Sequence, residues 1–456
     1  SKKVLTIHGV HSKYEKEQVF LLIASIFNDL TDEMKEKFTN DINKGNNRLK
    51  NKKDIAYDKF NWCAWLEKND IKTDKIDEIK KSVLLEFPYF KERKHPERIV
   101  DYSTTRWSID RSPKLEAEIM EMKENDLITL LIEFQEDKFR DITKEGLYNT
   151  FCNCLKENFQ WTFNIISRIN DCFNGNHPLW SKIISKISEI DYTAEQHMKL
   201  LKLFIDNDQV VKFNDLDLAW YLEKLIKKDY IKSEYNSLSN QLFDYSLQIY
   251  KLGIKNVTCD CDIVTKTLNC SVGALTLFWV KLLSMETDSS NENKYYQLFE
   301  KILKDKSSYF DQVLCTLAGN ARFFYYRNSD WYRNHILPFL ISEDSTEFAI
   351  AWEGIAYYSS ELYKDFSNDM QSYYLDAITR ISELYEQGRK NLVRQYTLLL
   401  VYVVKNPLEQ FIPKFFEVAK KKDKMTFIHT IRDCLINLSE QEKSKLWSTW
   451  LKEYWI

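Results

Sequence analysis

Apolar residues recur along this chain at helical spacing almost without interruption. Leu275, Phe278, Trp279, Leu282 and Leu283 follow the i, i+3, i+4, i+7 rule. So do Leu392, Tyr396, Leu399 and Val403, and again Trp447, Trp450, Leu451 and Tyr454. Each set predicts one apolar stripe along a helix. Starts are marked by capping boxes, in which a hydroxyl accepts from a backbone amide three residues on and a Glu or Gln reaches back. Thr193 with Gln196 and Ser439 with Glu442 have that form. Pro113, Pro178, Pro338, Pro407 and Pro413 fall near expected starts or stops, where a missing amide hydrogen is tolerated. The pattern predicts about two dozen helices, many in pairs recurring every ~40 residues, the spacing of two-helix repeats. The expected fold is all-α, a HEAT- or TPR-like solenoid of antiparallel helix pairs.

Two places break the rhythm. Residues 86–113 lack periodicity, and residues 251–262 contain Gly253 and the run Cys259-Asp260-Cys261-Asp262. They divide the chain into an N-terminal helical segment (1–95), a connection (96–112), a helical-repeat region (113–255) and a C-terminal helical-repeat domain (260–456). Val4 to Ile7 reads equally as a short strand or a helix start.

Composition narrows the picture. Nine Gly and seven Pro in 456 residues are far below the usual share of about 7% and 5%. Hairpin sheets and phosphate loops need glycine at positive φ, and few such positions exist here; helices joined by short polar loops need fewer. A 44% hydrophobic and 14% aromatic content excludes a mostly disordered chain. The net charge of -3, from 65 basic and 68 acidic residues, gives no overall field favouring nucleic acid or an anionic membrane. Basic runs at Lys50 to Lys53 and Lys420 to Lys422 read as solvated helix ends. Nine Cys, an odd count without framework spacing, fit reduced thiols, and no membrane span or signal peptide is present in the sequence. A cytoplasmic location is expected. The chain begins on Ser1 and stops on Trp455 and Ile456, which reads as a fragment of a longer protein.

Residues able to carry chemistry have plainer readings. No Gly-Lys-Ser/Thr phosphate loop or dinucleotide fingerprint occurs. Cys259, Cys261 and Cys270, with Cys315 or a distant His, offer zinc ligands, but their spacing is not that of a zinc knuckle. Cys152 and Cys154 lie on opposite sides of a helix and are structural. His8 and His11 share a face without a HExxH motif or a nucleophile's partners. The pairs Asp206 and Asp208, Asp215 and Asp217, and Asp260 and Asp262 suit two-metal sites, or simply N-caps and loop acids. No catalytic, cofactor or metal residue is assigned. The richest surface candidate is Arg322-Phe-Phe-Tyr-Tyr-Arg327 followed by Trp331, Tyr332 and Arg333. Tyr, Trp and Arg are enriched at interfaces, so Arg322, Tyr325, Tyr326, Arg327, Trp331 and Arg333 form the candidate partner-binding set, with core packing as the alternative.

Three stretches carry a resemblance: Asn269-Cys-Ser-Val-Gly-Ala-Leu-Thr-Leu-Phe-Trp-Val280, Asp330-Trp-Tyr-Arg-Asn-His-Ile-Leu-Pro338, and Ser444-Lys-Leu-Trp-Ser-Thr-Trp-Leu-Lys-Glu-Tyr-Trp455. Together they resemble the C-terminal helical domain of bacterial sirtuin-like antiphage defence proteins, and Ser112-Pro113 and His177-Pro-Leu-Trp180 resemble the helices preceding it. The resemblance covers about residues 110–456. It implies a helical array that holds or gates an NAD-degrading effector and recognises a phage component. The sirtuin-like catalytic domain itself has no counterpart in this sequence, since no Gly-Ala-Gly turn follows a strand. The expected function is a protein-binding sensor or scaffold module, its partner a phage structural protein or its own effector domain. A metal-dependent nuclease or other hydrolase built from the Asp pairs, and a nucleic-acid-binding helical repeat, are the alternatives.

Overall fold

A computed structural model describes residues 16–46, 49, 51–92, 110–136, 142–229, 234–253, 261–306, 309–358 and 364–455. Among the described residues every regular element is helical, and the one β-bridge is an isolated parallel pair, Arg111 with Ile142. The chain divides into two compact units, Ser1–Phe151 and Cys152–Ile456. That division falls inside the expected 113–255 region, while most of the expected 96–112 connection, Val4 to Ile7, His8 and His11 lie outside the described residues.

The first unit contains α1 (Lys16–Ile26), α2 (Asp32–Lys44), α3 (Lys52–Lys68), α4 (Asp74–Glu86), α5 (Glu116–Glu121), α6 (Glu124–Glu133) and most of α7 (Lys144–Cys154). Helix α3 is apolar around most of its circumference, and Trp62, Cys63, Ala64, Trp65 and Leu66 are all buried, so it is covered on several sides. Phe20 stacks on Trp62 with ring centroids 3.7 Å apart, and Phe38 meets the same indole edge-on. The aperiodic stretch after α4 has a packing role: Phe87 and Phe90 stack at 4.9 Å, and Phe90 closes a small core with Ala56, Phe60 and Val83.

The second unit opens with α8 (Phe159–Cys172), α9 (Leu179–Glu189), α10 (Ala194–Ile205), α11 (Asp208–Phe213), α12 (Asp215–Leu225) and α13 (Tyr235–Leu252). It continues through α14 (Ile263–Leu268), α15 (Ser271–Met285), α16 (Ser289–Asp305), α17 (Phe310–Gly319), α18 (Ala321–Arg327), α19 (Ser329–His335) and α20 (Leu337–Leu340). Next come α21 (Ser345–Tyr358), α22 (Lys364–Asp369), α23 (Gln371–Thr379), α24 (Glu386–Tyr402), α25 (Phe411–Val418), α26 (Lys421–Asn437) and α27 (Glu440–Leu446). A π-helical turn, Trp447–Leu451, leads to α28 (Lys452–Trp455).

Seven of these helices form a row in which each packs on the next: α9, α12, α15, α17, α21, α24 and α26. The row is the core of the unit. Its members carry the large aromatics Trp180, Tyr221, Trp279, Phe310, Trp352, Tyr396 and Phe427, all buried. The polar tips reach outward to other elements. The Trp279 indole donates to Ser246 Oγ (2.7 Å) on α13, Trp352 to the Leu340 carbonyl (3.0 Å) on α20, and the Tyr396 hydroxyl to the Phe411 carbonyl (2.8 Å) on α25. Each ring thus fills an interior and also fixes a flanking helix.

Glycine sets how closely two row members approach. A Cβ on Gly354 of α21 would lie 2.2 Å from the Cys315 carbonyl oxygen of α17, so only glycine fits there. Polar contacts tie other neighbours. Glu223 of α12 is buried and takes ion pairs from Lys227 and from Lys281 of α15. Asp215 accepts from Ser271 (2.6 Å) at the start of α15, and Arg389 of α24 pairs with the buried Asp423 of α26 at 2.5 Å.

The helix starts and stops agree with the capping and proline signals. Thr193 with Gln196 and Ser439 with Glu442 form reciprocal capping boxes. Pro178 is the N-cap of α9, and Pro338 and Pro413 lie in first turns. Periodicity misplaces one residue. The π-helical turn widens the spiral at Trp447–Leu451, so Trp450 and Leu451 are buried but Trp447 is 45% exposed, off the predicted stripe.

Candidate protein-interaction surface

The aromatic and arginine set chosen from sequence is built on the short helices α18 and α19, and the structure separates its members. Trp331 is core, not surface. Its ring is 6% exposed, packs among Tyr296, Phe299 and Phe324, and donates from Nε1 to Glu300 Oε1 (2.9 Å). The reason is local: Asn328 caps α19 by accepting from the Trp331 amide (3.0 Å), and the resulting turn aims the indole inward. Tyr325 donates to Asp369, and Arg327 is held by the Glu286 carbonyl and the Glu292 carboxylate (2.7 Å). Arg322 is half-buried. Tyr326, at 55% exposure, and Arg333, with an intrahelical pair to Asp330 at 3.5 Å, face solvent. The set therefore mixes buried and half-buried packing residues with three exposed ones, Tyr326, Arg327 and Arg333, of which Arg327 is tied to Glu286 and Glu292.

The metal-ligand candidates disperse as well. Asp206 pairs with Lys202, Asp215 with Ser271, Asp217 with Ser181, and Asp262 caps α14 by accepting from the Thr265 amide (2.9 Å). Cys261 is disulfide-bonded, a departure from the expectation of uniformly reduced thiols, and Cys259 and Asp260 lie outside the described residues. Cys270 is buried as the N-cap of α15, and Cys315 is buried in α17, its thiol pushed up to about 12 by desolvation. Cys152 and Cys154 are both buried. Among the described residues no three His, Cys, Asp or Glu side chains converge as a metal cluster would require.

Two depressions among the described residues of the second unit bear on function. One, of about 550 Å³, has the charged residues Asp191, Lys228, Asp229 and Glu234 around it together with Tyr192, Thr193 and Ala194. Its charges are used internally: Lys228 donates to the Ile190 carbonyl (2.8 Å) and pairs with Asp191 (2.9 Å). Nearby, His197 is fully buried with Nδ1 2.7 Å from the Tyr221 hydroxyl, and burial, reinforced by the Lys228 charge, pushes it down to about 4. The imidazole is neutral at physiological pH.

The other depression is apolar. About 580 Å³ of groove is lined by Ile428, Ile431, Arg432, Leu435, Ile436 and Lys443, on α26 and α27. Helix α26 packs on α24, its side with Phe427, Thr430, Ile431 and Cys434 is buried, and Phe427 meets Phe415 and Phe416 of α25 and Tyr454 of α28. The other side leaves Met425 at 46%, Ile428 at 37% and Ile436 at 69% exposure, with Arg432 and Lys443 at the rim in pairs with Asp433 and Glu440, both 2.7 Å. An apolar floor with a charged rim is the anatomy of a protein-contact surface. This face was not singled out in sequence, because apolar spacing does not say which side of a helix its neighbours leave uncovered. The available signal was breadth: Met425, Phe427, Ile428, Ile431, Cys434, Leu435 and Ile436 cover far more of the helix than one packing face needs. No described helix is long and apolar enough to cross a membrane. No family model, curated protein or solved structure matches this chain.

Proposed function

We propose that this chain is a helical-repeat scaffold that binds another protein, the sensor or gating module of a bacterial antiviral defence protein whose NAD-degrading activity resides in another domain. The observation that carries the scaffold reading is the row of seven helices. Its members begin at residues 179, 215, 271, 310, 345, 386 and 421, and each packs on the next in chain order. Steps of this size, each bringing one or more flanking helices, are what a two-helix solenoid produces, with a repeat of ~40 residues. Such arrays add surface without closing a core, which suits recognition of a large partner. The resemblance to the helical domain of sirtuin-like defence proteins supplies the phage component and the effector domain as candidate partners. The apolar groove on α26 supplies a place for one to dock.

The test is co-expression with individual phage structural proteins and with a sirtuin-like effector domain, followed by co-purification. A partner is expected to be retained by the native chain and lost on the double substitution Ile428→Glu, Ile436→Glu, with the helical signal in circular dichroism unchanged. Retention of every bound partner by the double variant would remove the groove from the proposal. Failure of all candidates to co-purify with the native chain would remove the defence reading itself.

A further inference from the structure

Glu353 lies in the middle of α21, at the seam with α24, and is 1% exposed. Its Oε1 accepts from the backbone amide of Tyr385, the N-cap of α24, at 2.8 Å. Its Oε2 is buried and has no hydrogen-bond partner. The site is shaped around this carboxyl. Gly388, in the first turn of α24, is so close that a Cβ there would lie 2.4 Å from Glu353 Cγ and 2.9 Å from Oε1. The adjacent Gly354 makes the equally tight approach to α17 on the other side. Glu353 and Gly354 thus place α21 between its two row neighbours with no slack at either seam.

The charged groups around it do not neutralise it. Helix α17 carries the Cys315 thiol and Asp311, and α14 has Asp262 as its N-cap and Lys266 in its last turn. The 3₁₀ turn Ile381–Glu383 offers Glu383, occupied by Arg380 at 2.8 Å, and α24 offers Glu386 and Arg389, committed to Lys422 and Asp423. Glu353 has no ion pair with any described cation. Burial pushes its carboxyl up to about 7, the Tyr385 amide opposing and the Asp262 charge adding to the rise.

We propose that Glu353 is a proton-operated latch: the neutral carboxyl closes the seam between α21 and α24, and its ionisation loosens the first turn of α24. An ionised, half-satisfied carboxylate in a dry seam is relieved by admitting water, and the side of the seam with fewer intrahelical hydrogen bonds to break is the helix end it caps. Opening returns the carboxyl to its ordinary range, so the open state gains as pH rises toward and past 7.

Hydrogen exchange of the full chain, corrected for intrinsic rates, tests this. Protection of the amides from Tyr385 to Lys390 is expected to fall about tenfold between pH 6 and pH 8, while amides of α9 keep theirs. In Glu353→Gln, which retains the Oε1 acceptor and cannot ionise, the loss should vanish. A pH-independent native profile, a loss spread equally over α9 and α24, or the same loss in Glu353→Gln would each overturn the latch. The first two readings use the native chain alone, so they stand even if the variant does not fold.

Discussion

Cys315 and Gly354 illustrate how little room single residues have in the row. With a Cβ at position 354 placed 2.2 Å from a backbone oxygen, relief requires moving a helix rather than a side chain. Gly354→Ala is therefore expected to destabilise the chain by about 1–3 kcal/mol in urea unfolding, although alanine is the better helix former. Two titrating residues act in opposite senses. His197, lowered to about 4 by burial, binds its proton more readily when unfolded, so its contribution to stability is present above the ordinary range near 6.5 and is lost as pH falls through 4. Glu353, raised to about 7, keeps its proton longer in the folded state, so its contribution is present below 4.5 and is lost as pH rises through 7. Between roughly 4.5 and 6.5 the two slopes cancel. Unfolding followed against pH should show a plateau there and a decline on each side. His197→Gln should abolish the acid-side part of that decline, and its persistence would mean other groups drive it.

At the scale of the element, caps and breakers determine where each helix begins. Thr193 accepts from the Gln196 amide (3.3 Å) and Gln196 reaches back to the Thr193 amide (3.0 Å), satisfying two donors that the first turn leaves unpaired. Thr193→Ala should cost about 1 kcal/mol, read as a lower thermal midpoint, and Thr193→Ser should restore most of it. These boundaries were legible in sequence because a cap depends on residues three apart. The direction of a side chain was less legible. Trp331 entered the partner-binding set on residue type, with core packing as its alternative, and Trp447 entered a buried stripe on spacing; the first is buried and the second is exposed. A turn set by Asn328 rotates the first inward, and a π-helical turn rotates the second outward, and neither event has a 3.6-residue signature.

For the second unit as a whole, a row in which each helix touches mainly its neighbours predicts local rather than global responses to damage. Phe427 is fully buried at the α26 end of the row, and Phe427→Ala should cost about 3–5 kcal/mol. If the row behaves as a one-dimensional array, hydrogen exchange in that variant will rise in α24, α25 and α26 and stay unchanged in α9 and α10. Uniform loss of protection would mean a single cooperative core and would count against the solenoid reading. The sequence by itself determined the all-helical class, most helix ends and the absence of a phosphate loop, because these depend on periodicity, capping and glycine content within a few residues. Tertiary structure alone decided that the Arg322 to Arg333 set is divided between core and surface, that Asp206, Asp215, Asp217 and Asp262 are engaged by a lysine, two serine hydroxyls and a helix N-terminus, and that α26 leaves an apolar face uncovered. Glu353 belongs to the same group: a mid-helix glutamate reads as solvated until Gly388 and the Tyr385 amide, more than 30 residues on, are brought against it. Burial and partner choice are set by residues distant in the chain, and hydrophobic spacing along one helix says that a face will be covered without saying by what.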